Sequence, residues 1–312
     1  MPGKKSAPSG PPAKLMATLA RRGPHRVLRG DLEIVGLHGQ MFVPATGRDV
    51  PAIAFGHAWL TRSHRYRDLL FHLASWGIAA AAPDGQGGPF PSDEALAGEL
   101  RSTLDVISRY PLGLEGALNV DPARVGFAGH GFGAAAAVLA AADQTILGQP
   151  APTVGAVAAL FPAPTTPALL PAAARATAPA MIVAGSRELD TFDANARALA
   201  DAYGGDVALR TLPGATASDL SERWTLGSLI GANGADRKVH AQVRALCTGF
   251  LLYTLAGDTE FAAFGDPGQA LGKSGVVDLE QEAEGGLDHI SALLGAKPPK
   301  RRGKADRKSP VR

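Results

Sequence analysis

The sequence contains a single cysteine, Cys247, among its 312 residues. One thiol cannot form an intramolecular disulfide, so a fold held together by disulfides is excluded. Cys247 lies within the apolar run VRALCTGFLLYTL. This setting indicates a buried packing role, because a reactive cysteine needs an accessible thiolate.

Long apolar segments are also missing from the sequence. No run of about 18 or more apolar residues occurs without a charged or helix-breaking residue, so a transmembrane helix is not predicted. The longest apolar stretch near the N-terminus, Leu15–Ala20, is shorter than the roughly 7–15 residues of a signal-peptide core. We therefore expect a cytoplasmic protein, and peripheral association with a membrane remains open.

Motifs that hold metals or dinucleotides are absent as well. The sequence has no cysteine pair and no HxxH or HExxH motif, so three or four converging metal ligands are not expected. The glycines of Gly129–Gly133 do not form a GxGxxG motif after a first strand, and no suitable acidic residue follows the next one. We predict neither a metal nor a cofactor.

Charge is distributed unevenly along the chain. Residues 1–26 contain six Lys or Arg and no acid, and residues 297–312 contain eight Lys or Arg and one acid, whereas residues 27–296 carry 17 basic and 28 acidic side chains. Both ends are rich in Pro, Gly, Ser and Lys, so they are predicted to be disordered tails. Such tails either contact the acidic body or attach the protein to an anionic membrane or an acidic partner. Nucleic acid is not an expected partner, because KRRGK lacks interleaved aromatic residues.

Between the tails, short β-like runs alternate with helical runs. Runs such as AIAFG and IAAAA are apolar throughout, which a strand requires when helices cover both faces of its sheet. The alternation predicts an α/β fold over residues 27–266, with a mostly parallel central sheet of about eight strands. Residues 267–296 are interpreted as an acidic, Gly-rich extension with one short helix near Leu287–Leu294.

The boundaries of the elements follow from the same pattern. We predict strands at Val27–Val35, Gln40–Val43, Ala52–Gly56, Ile78–Ala82, Arg124–Ala128, Gly155–Phe161, Ala180–Ala184 and Val207–Leu212. The first two should form an antiparallel hairpin at one edge. We predict helices at Tyr66–Trp76, Asp93–Tyr110, Gly133–Ala142, Ala194–Tyr203 and Lys238–Ala256.

The run VGFAGHGFG, residues 125–133, leads from a predicted strand into the helix-forming AAAAVLAAA. A sharp strand-to-helix turn between small residues is the setting of a nucleophile elbow, GxSxG, whose central residue takes a positive φ. The central residue here is Gly131, with Gly129 and Gly133 on either side. Taken alone, the pattern fits an ordinary tight turn equally well.

Five segments together carry a resemblance to a known family. They are AIAFGHAWLTRSHRYRDLLFHLASWGIAAAAPDGQG, NVDPARVGFAGHGFGAAAAV, AMIVAGSRELDTF, LPGATAS and LCTGFLLYTLAGDTEFAAFGDPG. In this order they resemble the α/β-hydrolases, in the branch of the chlorophyllases and bacterial cutinase-like polyester hydrolases related to dienelactone hydrolases. The resemblance covers about residues 27–266 and implies the α/β-hydrolase fold.

The resemblance places the three catalytic positions at Gly131, Asp190 and Ala217. Serine catalysis needs a hydroxyl, a base that takes its proton and an acid that orients the base. Glycine has no hydroxyl and alanine cannot take a proton, so only Asp190 keeps the family's residue type. The expectation is a pseudo-hydrolase, a degenerate carboxylic-ester hydrolase.

The resemblance assigns the two oxyanion-hole amides to Trp59 and Phe132, with His57 and His130 beside them. Backbone N–H donors survive changes of side chain, so the pocket is expected to bind an apolar carbonyl or acyl ligand, or the surface a protein partner. The His130 side chain is expected to pack or hydrogen-bond while pointing away from the pocket. Two alternatives stay open: a hydrolase with non-standard residues, such as His57 or a water near Asp190, and an interaction protein that acts through its basic tails.

Overall fold

A nine-stranded sheet organises the described part of the chain. The computed structural model describes residues 12–142, 145–146, 149–150, 153–191, 194–220 and 234–279. The strands are β1 (Val27–Asp31), β2 (Gly39–Pro44), β3 (Gly47–Gly56), β4 (Ala79–Pro83), β5 (Leu118–His130), β6 (Thr145–Ile146), β7 (Gln149–Pro150), β8 (Val154–Leu160), β9 (Ala180–Gly185), β10 (Val207–Leu212) and β11 (Gly275–Val276). The short strands β6 and β7 pair only with each other in the described residues.

The order of strands in the main sheet is β1-β2-β4-β3-β5-β8-β9-β10-β11. The six strands from β4 to β10 in this order are parallel, whereas β1 and β2 at one edge and β11 at the other pair antiparallel. The predicted α/β class, parallel centre and edge hairpin are confirmed. The sheet has nine strands instead of about eight, because the two-residue β11 is too short to leave a periodic pattern in the sequence.

Helices cover both faces of the sheet. They are α1 (Pro12–Leu19), α2 (Arg67–Ser75), α3 (Asp93–Arg109), α4 (Phe132–Ala142), α5 (Leu169–Ala173), α6 (Ala196–Ala202) and α7 (Gly234–Thr254). The first two helices and α7 pack on one face, and α3 to α6 pack on the other. Between these layers β4 is buried along its whole length, as expected for an apolar strand covered on two sides.

The first predicted strand, Val27–Val35, ends early in the structure. Strand β1 stops at Asp31, whose Oδ1 accepts a hydrogen bond from the amide of Glu33 at 3.0 Å and so caps a 3-10 helix over Leu32–Val35. An aspartate that bonds the amide two residues ahead competes locally with strand pairing. The chain then turns at Gly36 toward β2, completing the hairpin that was predicted.

The N-terminal segment differs from the expected disordered tail over residues 1–26. Leu15, Met16 and Leu19 are buried on one face of α1, which packs against α7. The following residues are held as well, since the amide of Gly23 donates to Ser75 Oγ at 2.9 Å. Apolar residues at positions i, i+1 and i+4 form one amphipathic face of a helix. The helix that covers this face is more than 200 residues away in sequence, so the local pattern did not reveal the contact. Residues 1–11, the expected helix near Leu287–Leu294 and the basic residues 297–312 lie outside the described ranges.

The longest described helix, α7, contains Cys247. The thiol is fully buried, and burial raises the pKa of Cys247 to about 12. A thiol in this environment stays protonated, which fits the packing role expected from the sequence. Within the described residues no helix combines the length and the apolar character needed to cross a membrane.

Truncating Leu19 tests whether α1 belongs to the folded core. We expect Leu19→Ala to lower the free energy of unfolding by about 2–5 kcal/mol, the usual cost of removing a buried leucine side chain. The exposed Lys14 of the same helix provides the matched control, and Lys14→Ala should change stability by less than about 0.5 kcal/mol. Urea unfolding followed by circular dichroism measures both, and equal effects would contradict the packing of α1.

Candidate functional site

A cavity of about 630 Å³ opens at the carboxyl ends of the parallel strands. The chain leaves β3 toward β4 on one side and returns to β5 on the other, so the strand order reverses between β3 and β5. Ligands of open α/β sheets bind at this type of reversal, where two diverging connections leave a crevice. Its wall is formed by five connections, contributing Ala58, Trp59, Thr61; Pro89, Phe90, Pro91, Asp93; His130, Gly131, Phe132; Phe161, Ala163, Pro164, Thr165, Thr166; and Ala217, Ser218.

Gly131 forms the turn between β5 and α4. Its φ is +57°, in the left-handed region that favours glycine. Its amide donates to the Leu160 carbonyl at 3.0 Å, and its carbonyl accepts from Ala134 and Ala163 at 3.1 and 3.3 Å. An added Cβ would have the Cβ and Cα of Ala58 as its described neighbours, at 3.3 and 4.0 Å. A small side chain would therefore require Ala58 to move by a few tenths of an ångström, in addition to the cost of the backbone conformation.

The glycines on either side of the turn, Gly129 and Gly133, are required by close backbone contacts and not by a positive φ. A Cβ on Gly129 would lie 2.1 Å from the carbonyl oxygen of Gly133, and a Cβ on Gly133 would lie 2.2 Å from the carbonyl of Gly56. Strands β3 and β5 and helix α4 therefore meet backbone to backbone. The sequence predicted small flanking residues for this reason, and Gly56 is a third member of the contact that it did not indicate.

The structure brings to one cavity two of the three positions that the resemblance assigns to a catalytic triad. Gly131 and Ala217 both line it, whereas Asp190 does not. Asp190 is exposed in the loop after β9, where its Oδ1 accepts from the Ala198 amide at 3.2 Å, and partial burial raises the pKa of its carboxyl group. The carboxylate that contacts position 217 belongs to Glu188, whose Oε2 accepts from the Ala217 amide at 3.1 Å.

Glu188 was therefore missed by sequence reasoning. It stands two residues before Asp190 in the same loop, and both carry the right functional group. The choice between them depends on the turn after β9, where the Glu188 amide donates to the Gly185 carbonyl at 3.0 Å. A turn of this kind sets side-chain direction without changing the residue pattern, so the sequence offered no way to select the nearer carboxylate.

The His130 ring is held beneath the cavity by hydrogen bonding. Its Nδ1 lies 2.8 Å from the Tyr66 hydroxyl, which accepts from the Ala58 amide at 3.1 Å. Either the Tyr66 hydroxyl or Nδ1 is the donor of this bond, depending on the tautomer of the imidazole. Burial lowers the pKa of His130 to about 4, with the charge of His240 acting in the same direction and the Ala217 backbone opposing it. His130 is a neutral, hydrogen-bonded residue that is almost fully buried, and it is one of the residues that line the cavity.

His57 lies apart from the cavity. Its side chain is fully buried, its Nδ1 is 3.0 Å from the Ala58 carbonyl, and it is not among the residues of the wall. The Nε2 atoms of both His57 and His130 are buried without a hydrogen-bond partner in the part of the chain that the structure describes. His130 is among the residues that line the cavity and His57 is not, although both side chains are buried.

The amides of Trp59 and Phe132 face no competing acceptor. Neither donates a hydrogen bond to any of the described residues. The amide of Ala58, which directly precedes Trp59, donates to the Tyr66 hydroxyl. Phe132 is the first residue of α4, where the free amides and the helix dipole attract negative charge. The indole of Trp59 donates to the Pro89 carbonyl at 3.3 Å and forms part of the rim.

Strain is present at the rear of the cavity. Phe161, directly after β8, has a φ of +45° although it is not glycine, and its ring is buried. It packs edge-on against the His130 ring at 6.0 Å between centroids, and His130 packs against Tyr66 at 5.7 Å. Backbone strain of this type persists where the surrounding structure imposes it, and it concentrates at functional sites.

Fold and site together define an α/β protein with a ligand-sized cavity at the reversal point of its sheet. No protein-family model matches this chain, and no curated protein matches it. Across the described ranges, no group of three or more His, Cys, Asp or Glu side chains is arranged to hold a metal ion.

Alanine substitutions at two glycines test the backbone contact. Gly129→Ala should lower the free energy of unfolding by about 3 kcal/mol or more, because its Cβ overlaps a backbone carbonyl that no rotamer change can move. Gly131→Ala should cost only about 1–2 kcal/mol, the penalty of a left-handed conformation. Urea unfolding of the two variants measures the difference, and equal costs or the reverse order would contradict the close approach of β5 and α4.

The stability of the protein should fall in mildly acidic solution. Burial lowers the pKa of His72 and of His130 from 6.5 to about 4. Between these values the unfolded chain binds protons that the folded chain does not, so unfolding becomes easier as the pH falls. The expected slope is up to about 1.4 kcal/mol per pH unit for each histidine. Urea titrations from pH 7 downward should show a smaller slope for His130→Gln, and an unchanged slope for the exposed control His38→Gln.

Proposed function

We propose that the chain is a pseudo-hydrolase of the α/β-hydrolase superfamily, which binds an apolar carbonyl or acyl ligand without hydrolysing it. The observation that carries this proposal is the presence of Gly131 and Ala217 in the wall of one cavity. These are the positions where the resemblance expects a nucleophile and its base. A hydroxyl and an imidazole would meet there in an active member, and this chain has neither.

The remaining features of the cavity suit binding. The amides of Trp59 and Phe132 are available to donate to a carbonyl oxygen, and the N-terminus of α4 adds a favourable potential. The volume of about 630 Å³ lies within the usual range for small-molecule sites. Aromatic side chains supply much of the wall, so an acyl chain would transfer apolar surface out of water at roughly 25 cal/mol per Å².

The hydroxyl groups around the cavity do not replace the missing serine. Thr61 Oγ1 donates to the Ala58 carbonyl at 2.7 Å, and Thr166 Oγ1 donates to Asp93 at 3.1 Å. The Nδ1 of His130 is engaged by Tyr66. A serine-type nucleophile needs a histidine within hydrogen-bond reach, and neither of these two hydroxyls is bonded to one.

The two rival functions receive less support. A hydrolase that uses His57, or a water held near Asp190, requires at least two titratable groups at one substrate position, and neither residue lines the cavity. Attachment to an anionic membrane or an acidic partner depends on the basic residues of 1–26 and 297–312, of which residues 1–11 and 297–312 lie outside the described ranges. That second alternative stays a prediction.

Restoring the two missing groups tests the proposal. The unmodified protein should hydrolyse p-nitrophenyl esters no faster than heat-denatured protein, and a fluorophosphonate probe should not label it. The variant Gly131→Ser should remain nearly inactive, since a serine without a base is a weak nucleophile. Adding Ala217→His should raise turnover by at least about 100-fold over the single variant, the lower range for general-base catalysis.

The single variant Gly131→Ser is the matched control for the double variant. Circular dichroism and thermal unfolding of both variants establish that they are folded. Strong labelling of the unmodified protein would overturn the proposal, because it would reveal another activated nucleophile. Equal activity of the single and double variants would show that position 217 is not the base position.

A further inference from the structure

The cavity has an uneven distribution of charge. Asp93 is the only acidic residue in its described wall, and no Lys or Arg belongs to that part of the wall. Its side chain is only 2% exposed. The histidine of the wall, His130, is neutral at ordinary pH because burial lowers its pKa to about 4. A ligand in this cavity therefore faces one carboxylate and no compensating cation among these residues.

Asp93 is held in place by hydrogen bonds on both oxygen atoms. Its Oδ2 accepts from Thr166 Oγ1 at 3.1 Å, and its Oδ1 accepts from the Glu94 amide at 2.9 Å. It is also the first residue of α3, where the helix dipole favours a negative charge. A carboxylate can accept about four hydrogen bonds, so each oxygen retains the capacity to accept from a ligand.

A structural role alone does not require a charge at this position. The contact with Thr166 joins the segment before α3 to the segment after β8, and a neutral asparagine oxygen would accept the same bond. Burying a carboxylate costs more free energy than burying an amide. The helix dipole stabilises the negative charge of Asp93, and a positively charged ligand group in the cavity would stabilise it further.

The donors and the acceptor of the cavity lie on different wall segments. The unengaged amides of Trp59 and Phe132 follow β3 and β5. Asp93 follows β4, next to the exposed Phe90 of the rim. Aromatic faces such as Phe90 and Trp59 also attract cations. One side of the cavity thus suits a carbonyl oxygen, and another suits a positively charged donor.

We propose that the ligand is an acyl compound that carries an ammonium group, with its carbonyl at the Trp59 and Phe132 amides and its ammonium group at Asp93. This inference rests on the proposed function of the cavity and defines the class of ligand more narrowly. Fatty acids and other acyl compounds with a free carboxylate are disfavoured, because they would bring a second negative charge toward Asp93.

Three esters with the same chain length test the charge preference. They are ethyl ω-aminooctanoate, ethyl nonanoate and monoethyl azelate, which end in an ammonium group, a methyl group and a carboxylate. Isothermal titration calorimetry on the full chain should show the ammonium ester binding about tenfold or more tightly than the neutral ester, as a charge-assisted hydrogen bond implies. The carboxylate ester should bind most weakly. Mass spectrometry of the recovered esters verifies that they are intact.

Two variants assign the preference to Asp93. Asp93→Asn should reduce the affinity for the ammonium ester about tenfold, while the affinity for ethyl nonanoate changes by less than about threefold. Glu94→Gln removes one negative charge from the same helical turn and is exposed, so it should leave all three affinities unchanged. Binding of the neutral ester also reports whether each variant retains the folded cavity.

The outcomes separate this inference from the proposed function. Equal binding of all three esters, or tightest binding of the carboxylate ester, would overturn the charge preference and leave the acyl-binding function intact. Binding of none of them would overturn both. If Asp93→Asn does not fold, the order of the three affinities in the unmodified protein still decides the question.

Discussion

The contact between the backbones of β3, β5 and α4 is the constraint on which the site depends. It is made at Gly56, Gly129 and Gly133, where any side chain would overlap a main-chain carbonyl. Because the three elements pass so closely, the turn at Gly131 is forced to be sharp, and α4 begins directly at the end of the sheet. The same contact therefore positions the free Phe132 amide at the floor of the cavity and aligns the helix dipole with it.

The parallel centre of the sheet explains why distant segments meet at this floor. Parallel strands end at a common edge, so the connections that follow β3, β5, β8 and β10 are gathered there. The reversal of strand order between β3 and β5 leaves a crevice between diverging connections. The Tyr66 hydroxyl accepts from the Ala58 amide and shares a hydrogen bond with His130 Nδ1, and these bonds tie the loop after β3 to the end of β5. The cavity is thus a consequence of topology, and its shape is maintained by a few buried polar contacts.

The chemistry of the cavity divides between backbone and side chains. Donors that belong to the main chain, at Trp59 and Phe132, persist whatever residues occupy those positions. Nucleophile and base are side-chain functions, and Gly131 and Ala217 provide neither. In the proposed pseudo-hydrolase, the site lacks reactive side chains but retains the donors that would hold a carbonyl group. The proposed contact between Asp93 and an ammonium group has no counterpart among the expected catalytic positions.

The order of apolar and helical runs was sufficient to predict the α/β class, the parallel centre, the edge hairpin and the glycine turn, because these depend on local periodicity and on residue size. Three features depended on the tertiary structure. Helix α1 packs against a helix that is far away in sequence, and β11 is too short to produce a periodic pattern. Glu188, and not Asp190, contacts Ala217 because of the turn that follows β9. Asp93 became part of the cavity only when the chain after β4 was brought beside the chain after β8. Sequence patterns report which groups a chain carries, whereas the meeting of two groups from separate segments is decided by the packing that brings them together.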